Sequence, residues 1–328
     1  MKSIKISCKG NTYSIPNAWE CLPPNLYTKL VADILLMSQG KLSPAMLKVN
    51  FVCNAMGWVP GRIKGESALA NVAMLAEQVD FILSIAYPDN DAALVDLDEK
   101  TRRIFKKKDP AKVLGNTMAQ YLRRLDYRYC IDDCWCAQLI PFVQLKKRFK
   151  KDVILKGYAV NTSFGVLSCS LTALQYVEAR NLLGNADSLP LLASILYSDP
   201  NTKYSSSFAH QRATEFRELP KEVLYGIMLN FRSFNNFLFS KTEFSLLTAS
   251  RLEDKKLIST GALESLYNLS SDGYGSASEV EQMNVIQYLT ILRKKIIESV
   301  RSMHTHDMSL ADIEKETGLP ITLIKQII

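Results

Sequence analysis

Histidine is scarce: His210, His304 and His306 are the only three in 328 residues. A base–nucleophile pair or a histidine-based metal site therefore has little to be built from. His304 and His306 also stand beside Asp307 where a helix is expected to end, a position that favours a capping role. Long apolar runs are missing too. No stretch reaches the ~20 continuous apolar residues of a membrane helix. The opening MKSIKISCKG alternates apolar and polar residues instead of forming the apolar core of a cleaved leader. Neither export nor membrane contact is expected. A phosphate-binding glycine loop is absent as well. GKLS at 40–43 has Leu35 where such a loop needs its first glycine, and Leu42 follows the lysine. DGYGS at 272–276 has two glycines but no preceding strand pattern, so it reads as a plain loop.

Cysteine is present without a scaffold. The seven cysteines, at 8, 21, 53, 130, 134, 136 and 169, are odd in number and lack disulfide-framework spacing, which fits a reducing cytoplasm. CIDDCWC places Cys130, Cys134 and Cys136 beside Asp132 and Asp133. It lacks a fourth ligand and the usual two-residue spacing of paired zinc cysteines. With Trp135 and the following AQLIPFV it reads as core. No catalytic residue, metal or cofactor is assigned, and the chain is expected not to be an enzyme.

What is present is ordinary in amount and uneven in place. Hydrophobic residues make up 47% and charged residues 22%, which is the composition of a folded chain without long disorder. The net charge of +7 is concentrated: residues 100–156 hold sixteen Lys and Arg against five Asp and Glu, a local +11. Aromatics at Phe105, Tyr121, Tyr127, Tyr129 and Phe149 interleave with these charges. Such a mixture can neutralise phosphates and stack on bases, or can simply face an acidic protein. The polyanion-binding candidates are Arg102, Arg103, Lys106, Lys107, Lys108, Arg123, Arg124, Lys146, Lys147 and Arg148.

Periodicity indicates a mainly α (α+β), multi-helical protein with a small N-terminal β-hairpin and a C-terminal helical hairpin. KSIKISCKGNTYSIP alternates on both sides of Lys9-Gly10-Asn11, as a hairpin does. A helix follows Pro23-Pro24 with Leu26, Leu30, Ile34 and Met37 on one stripe, and Ser43-Pro44 launches another. Leu69–Tyr87 forms a third apolar segment. The basic stretch has no long apolar face before Trp135–Leu145 and is read as a linker or insertion with partial helix. Helices follow at 171–183, 189–197 and as a pair over 212–239. Ser278 and Glu281 have capping-box spacing ahead of a long helix carrying Val285, Leu289, Leu292, Ile296, Val300 and Met303. Four parts are expected: 1–95, the basic 96–157, 158–277 and 278–328.

The closing MSLADIEKETGLPITLIKQII has the apolar and turn positions of a helix-turn-helix, with Gly318 at the turn and a Ser309/Asp312 cap. Glu314 stands where the helices usually need a small residue, and Pro320, Ile321 and Leu323 occupy the start of the second helix, where base readout needs long polar side chains. Leu319, Ile321, Leu323, Ile324 and Ile327 are therefore read as protein-docking residues, ahead of the alternative that this hairpin and the basic segment bind DNA.

Four phrases carry a family likeness: YSIPNAWECLPPNLYTKLVADIL, SLTALQYVEARNLLGNADSLPLLASILY, FRELPKEVLYGIMLNFRSFNNFL and LYNLSSDGYGSASEVEQMNVIQYLTIL. In order and texture the chain resembles proteins encoded in tail gene clusters of Bacteroidota phages and prophages. The basic insertion and the hairpin from Ser309 onward depart from that pattern. The resemblance implies a structural or chaperone role in tail or virion assembly, in the bacterial cytoplasm or in the particle. It also implies partners that are other tail or virion proteins or a second copy, with nucleic acid bound only weakly and without sequence preference.

Overall fold

The computed structural model describes residues 2–8, 11–86, 99–100, 103, 128–146, 152–198, 202–250 and 263–328. It is mainly helical with small antiparallel sheets, and its contacts resolve two compact units, Met1–Asp133 and Cys134–Ile328. That boundary falls inside the basic segment, so its last strands belong with the second unit.

The first unit opens with strands β1 (Ser3–Cys8) and β2 (Asn11–Pro16), paired so that Ile4 meets Ile15. Helix α1 (Pro24–Ser38) buries Leu26, Leu30 and Ile34 as the stripe requires, together with Tyr27 and Val31. Helix α2 (Pro44–Met56) is capped by Ser43, whose side chain accepts from the Met46 N–H at 3.2 Å, and ends at Gly57 in the left-handed region. Trp19, Phe51 and Phe81 form the aromatic centre, with the Phe81 ring edge-on to Trp19 at 5.1 Å and to Phe51 at 5.4 Å.

The segment expected as one apolar element over 69–87 is two. Helix α3 (Glu66–Glu77) stops, and strand β3 (Leu83–Ala86) pairs with β4 (Arg128–Ile131). Asn17 fixes the break: its amide donates to the Gln78 carbonyl at 3.2 Å and to the Asp80 carboxylate at 3.0 Å.

The second unit is organised on helix α7 (Lys221–Lys241), which buries Leu224, Ile227, Leu229, Phe231, Phe234 and Leu238. Helices α4 (Ala173–Asn181), α5 (Leu189–Leu196) and α6 (Ser206–Phe216) precede it. A three-stranded sheet runs in the order β5 (Phe142–Leu145), β6 (Val153–Gly157), β9 (Tyr197–Ser198), and a short pair joins β7 (Val160–Asn161) to β8 (Ser168–Cys169). After 127 the described part of the basic segment forms strands β4, β5 and β6, with irregular chain between β4 and β5, in place of the partial helix expected there. Val143 and Leu145 point in while Phe142 and Gln144 point out, a period of two that no helix satisfies. Gly157 permits this sheet to close: a Cβ there would lie 2.9 Å from the ring of Tyr197, which is fully buried and donates its hydroxyl to Ile140 O at 2.6 Å.

The capping box lies two residues before its expected place. Ser276 and Glu279 form it, opening the short α9 (Ala277–Gln282) that follows α8 (Leu263–Ser271). The long helix α10 (Val285–Thr305) then starts afresh, with Asn284 accepting from Ile286 N at 2.9 Å. The interruption is tertiary in origin. Met283 O accepts from Ala173 N at 2.7 Å, and Val285 N donates to Leu171 O at 3.0 Å, so the chain is held extended between the two helices.

Candidate functional site

The C-terminal hairpin forms as the pattern indicates. Helices α11 (Leu310–Thr317) and α12 (Ile321–Ile327) meet at Gly318, whose φ of 69° suits a residue without Cβ. Ser309 Oγ accepts from Asp312 N at 3.2 Å. Glu314 fits between the helices because it is half-buried and accepts from Ile321 N at 3.3 Å.

Of the five expected docking residues, Leu319, Ile324 and Ile327 are buried in a cluster with Ile313 and with Val300 of α10. Arg301 Nε closes the seam by donating to Ile327 O at 3.0 Å. Ile321 and Leu323 are half-buried, and Lys325 and Gln326 are exposed. Three of the five side chains are thus spent on attaching the hairpin to the long helix, leaving Ile321 and Leu323 as those that still meet solvent.

Of the polyanion candidates, only Arg103 and Lys146 are among the described residues. Arg103 pairs with Glu99 at the protein surface, and Lys146 is exposed at the end of β5. Arg102, Lys106, Lys107, Lys108, Arg123, Arg124, Lys147 and Arg148 lie outside them. Trp135 is buried, as the core reading of CIDDCWC requires, but Cys130, Cys134 and Cys136 are only half-buried, and Cys134 Sγ lies 3.1 Å from Ser240 Oγ. Among the described residues no three His, Cys, Asp or Glu side chains converge in a metal-holding group. His306 caps α10 with its Nδ1 2.7 Å from Ser302 O.

The surface that sequence reasoning missed lies on the β5–β6 hairpin. β5 is the edge of its sheet, and among the described residues no strand pairs with its outer side. On its outward face Phe142 is 57% exposed and, diagonally across on β6, Ile154 is 67% exposed. Gln144 and Lys156 complete that face. An edge row of backbone donors and acceptors beside two bare apolar side chains is what an added strand recognises. The residues that join β5 to β6 read KKRFKKD over 146–152, so the hairpin connection is basic in sequence. The signal was available: FVQL and VIL are short runs of β-favouring apolar residues, but the lysines around them drew them into the basic segment.

A second apolar projection stands at the turn between β7 and β8. Phe164 has a φ of 57°, uncommon for a side-chain-bearing residue, and is fully exposed, with exposed Val166 two residues on. No protein-family model matches this chain, and neither does any curated protein or solved structure.

Proposed function

We propose that this is a non-enzymatic phage or prophage protein that binds other tail or virion proteins, as a structural component or an assembly chaperone. Edge strand β5 is its main point of attachment. The observation that carries this reading is the open edge of β5 beside exposed Phe142 and Ile154. The sequence likeness to tail-cluster proteins supplies the assembly context. Backbone pairing along β5 would give affinity, while Phe142 and Ile154 would select a partner segment with apolar side chains on one face. The basic connection at 146–152 favours acidic residues in that segment. The place of action is the bacterial cytoplasm, where tails are assembled, or the particle itself.

Co-expression of the tagged chain with the tail genes of its own cluster tests this. A tail protein should co-purify at fixed stoichiometry, and Phe142→Asp with Ile154→Asp should abolish it without lowering the thermal midpoint. Recovery of the chain alone, or a complex that tolerates the double variant, would overturn the proposal.

A further inference from the structure

The second unit contains a cleft of about 300 Å³ whose polar lining is unbalanced. It is bounded by the end of β6, the start of α4 and residues 202–204. Lys156 and Lys203 both line it, and among the described residues no carboxylate does. Among the described residues neither lysine makes an ion pair. The nearby Glu178 accepts the hydroxyl of Tyr204.

Two of the cleft's hydroxyls are set to donate. Ser170 Oγ accepts from Ala159 N at 2.8 Å, and Thr172 Oγ1 accepts from Gln175 N at 3.2 Å. A hydroxyl that already accepts from the backbone keeps its own proton for a ligand. The amide groups of the lining are spoken for: Gln175 donates to Ile195 O at 3.0 Å and Gln282 to Tyr204 O at 3.2 Å. Two ammonium groups and the two hydroxyl donors of Ser170 and Thr172 thus face the cleft, with the hydroxyls of Ser198 and Thr202 also in its lining. An acceptor-rich anion suits such a lining, and tetrahedral oxygens can meet donors from several directions at once.

We propose that this cleft binds the phosphate group of a small phosphorylated ligand, with Lys156 and Lys203 as charge partners and Ser170 and Thr172 as hydroxyl donors. The site is separate from protein binding at β5, except that Lys156 stands at the boundary of the two surfaces.

The test is calorimetric titration of the full-length protein in chloride buffer with pyrophosphate, inorganic phosphate and ribose 5-phosphate, and with malonate as a carboxylate control. Saturable binding of one phosphate compound per chain is expected. Lys156→Met with Lys203→Met should weaken it roughly tenfold or more. Lys64→Met with Lys325→Met, at exposed lysines elsewhere, should leave it unchanged. Ligand-free thermal unfolding of both variants separates lost binding from lost folding. The assignment is overturned by absence of saturable phosphate binding, by binding that survives the Lys156/Lys203 change in a folded protein, or by malonate binding equally well.

Discussion

The side chain of Asn230 holds the backbone of Leu139: its Oδ1 accepts from Leu139 N at 2.6 Å, while its Nδ2 donates to Ala137 O at 2.7 Å. Asn230 is fully buried on α7, so one amide fixes the segment that leads into edge strand β5 to the central helix of its unit. Asn230→Ala strands a buried donor and acceptor and should cost roughly 2–4 kcal/mol in denaturant unfolding. Asn230→Asp loses the donor and buries a carboxylate, whose folded pKa is thereby raised above its unfolded value. Its protonated form is the one the folded state favours, so this variant should be most stable in mild acid and weaken as pH rises. Melts at about pH 5 and about pH 8 check the sign.

The thiols of Cys21, Cys53 and Cys169 should differ sharply in reactivity. Cys21 is exposed, whereas Cys53 and Cys169 are buried. Burial pushes the Cys169 thiol up to about 12 and raises that of Cys53. Iodoacetamide at about pH 8 should therefore label Cys21 in the native protein and reach Cys53 and Cys169 only after unfolding. Because the folded thiol of Cys169 holds its proton more tightly than the unfolded one, its stabilising effect is complete below the ordinary thiol value. That effect is lost as pH climbs from there toward about 12. Mass mapping of alkylated peptides reads the difference.

The helices were legible where local chemistry decides them. The stripe Leu26, Leu30, Ile34, the Ser43 cap and the turn at Gly318 all act within one or two helical turns. What escaped was set by distant contacts. The break before α10 comes from Ala173 and Leu171, more than a hundred residues earlier, so the Ser278/Glu281 spacing pointed to the wrong start. The β5 edge was hidden because a four-residue strand offers only two inward positions, Val143 and Leu145, amid many lysines. The cleft could not be read at all, since Lys156, Ser170 with Thr172, and Lys203 belong to three separate stretches of sequence.

The C-terminal hairpin should respond to its apolar side chains. Ile324 is fully buried against a cluster that includes Val300, so Ile324→Asp should destabilise the C-terminal region by more than about 3 kcal/mol. Exposed Lys325 and Gln326, changed together to Ala, should shift stability by no more than about 0.5 kcal/mol. A DNA-reading helix would respond the other way, losing nucleic-acid affinity with the polar pair. Chemical unfolding and a duplex-DNA shift assay on both variants decide between them.

Any DNA binding by the basic segment should be electrostatic. Sixteen Lys and Arg over 100–156 can release many counterions, so affinity for a random duplex should fall at least about tenfold between ~50 and ~200 mM salt. Sequence-selective binding that resists this change would favour a DNA-associated role.

The most direct measurement is hydrogen exchange at the amides of residues 142–145, with and without the co-purified tail partner. Strand addition to β5 predicts that these amides slow markedly in the complex, and that Phe142→Asp with Ile154→Asp removes the slowing. Unchanged exchange in β5, with protection appearing only at 309–328, would contradict it.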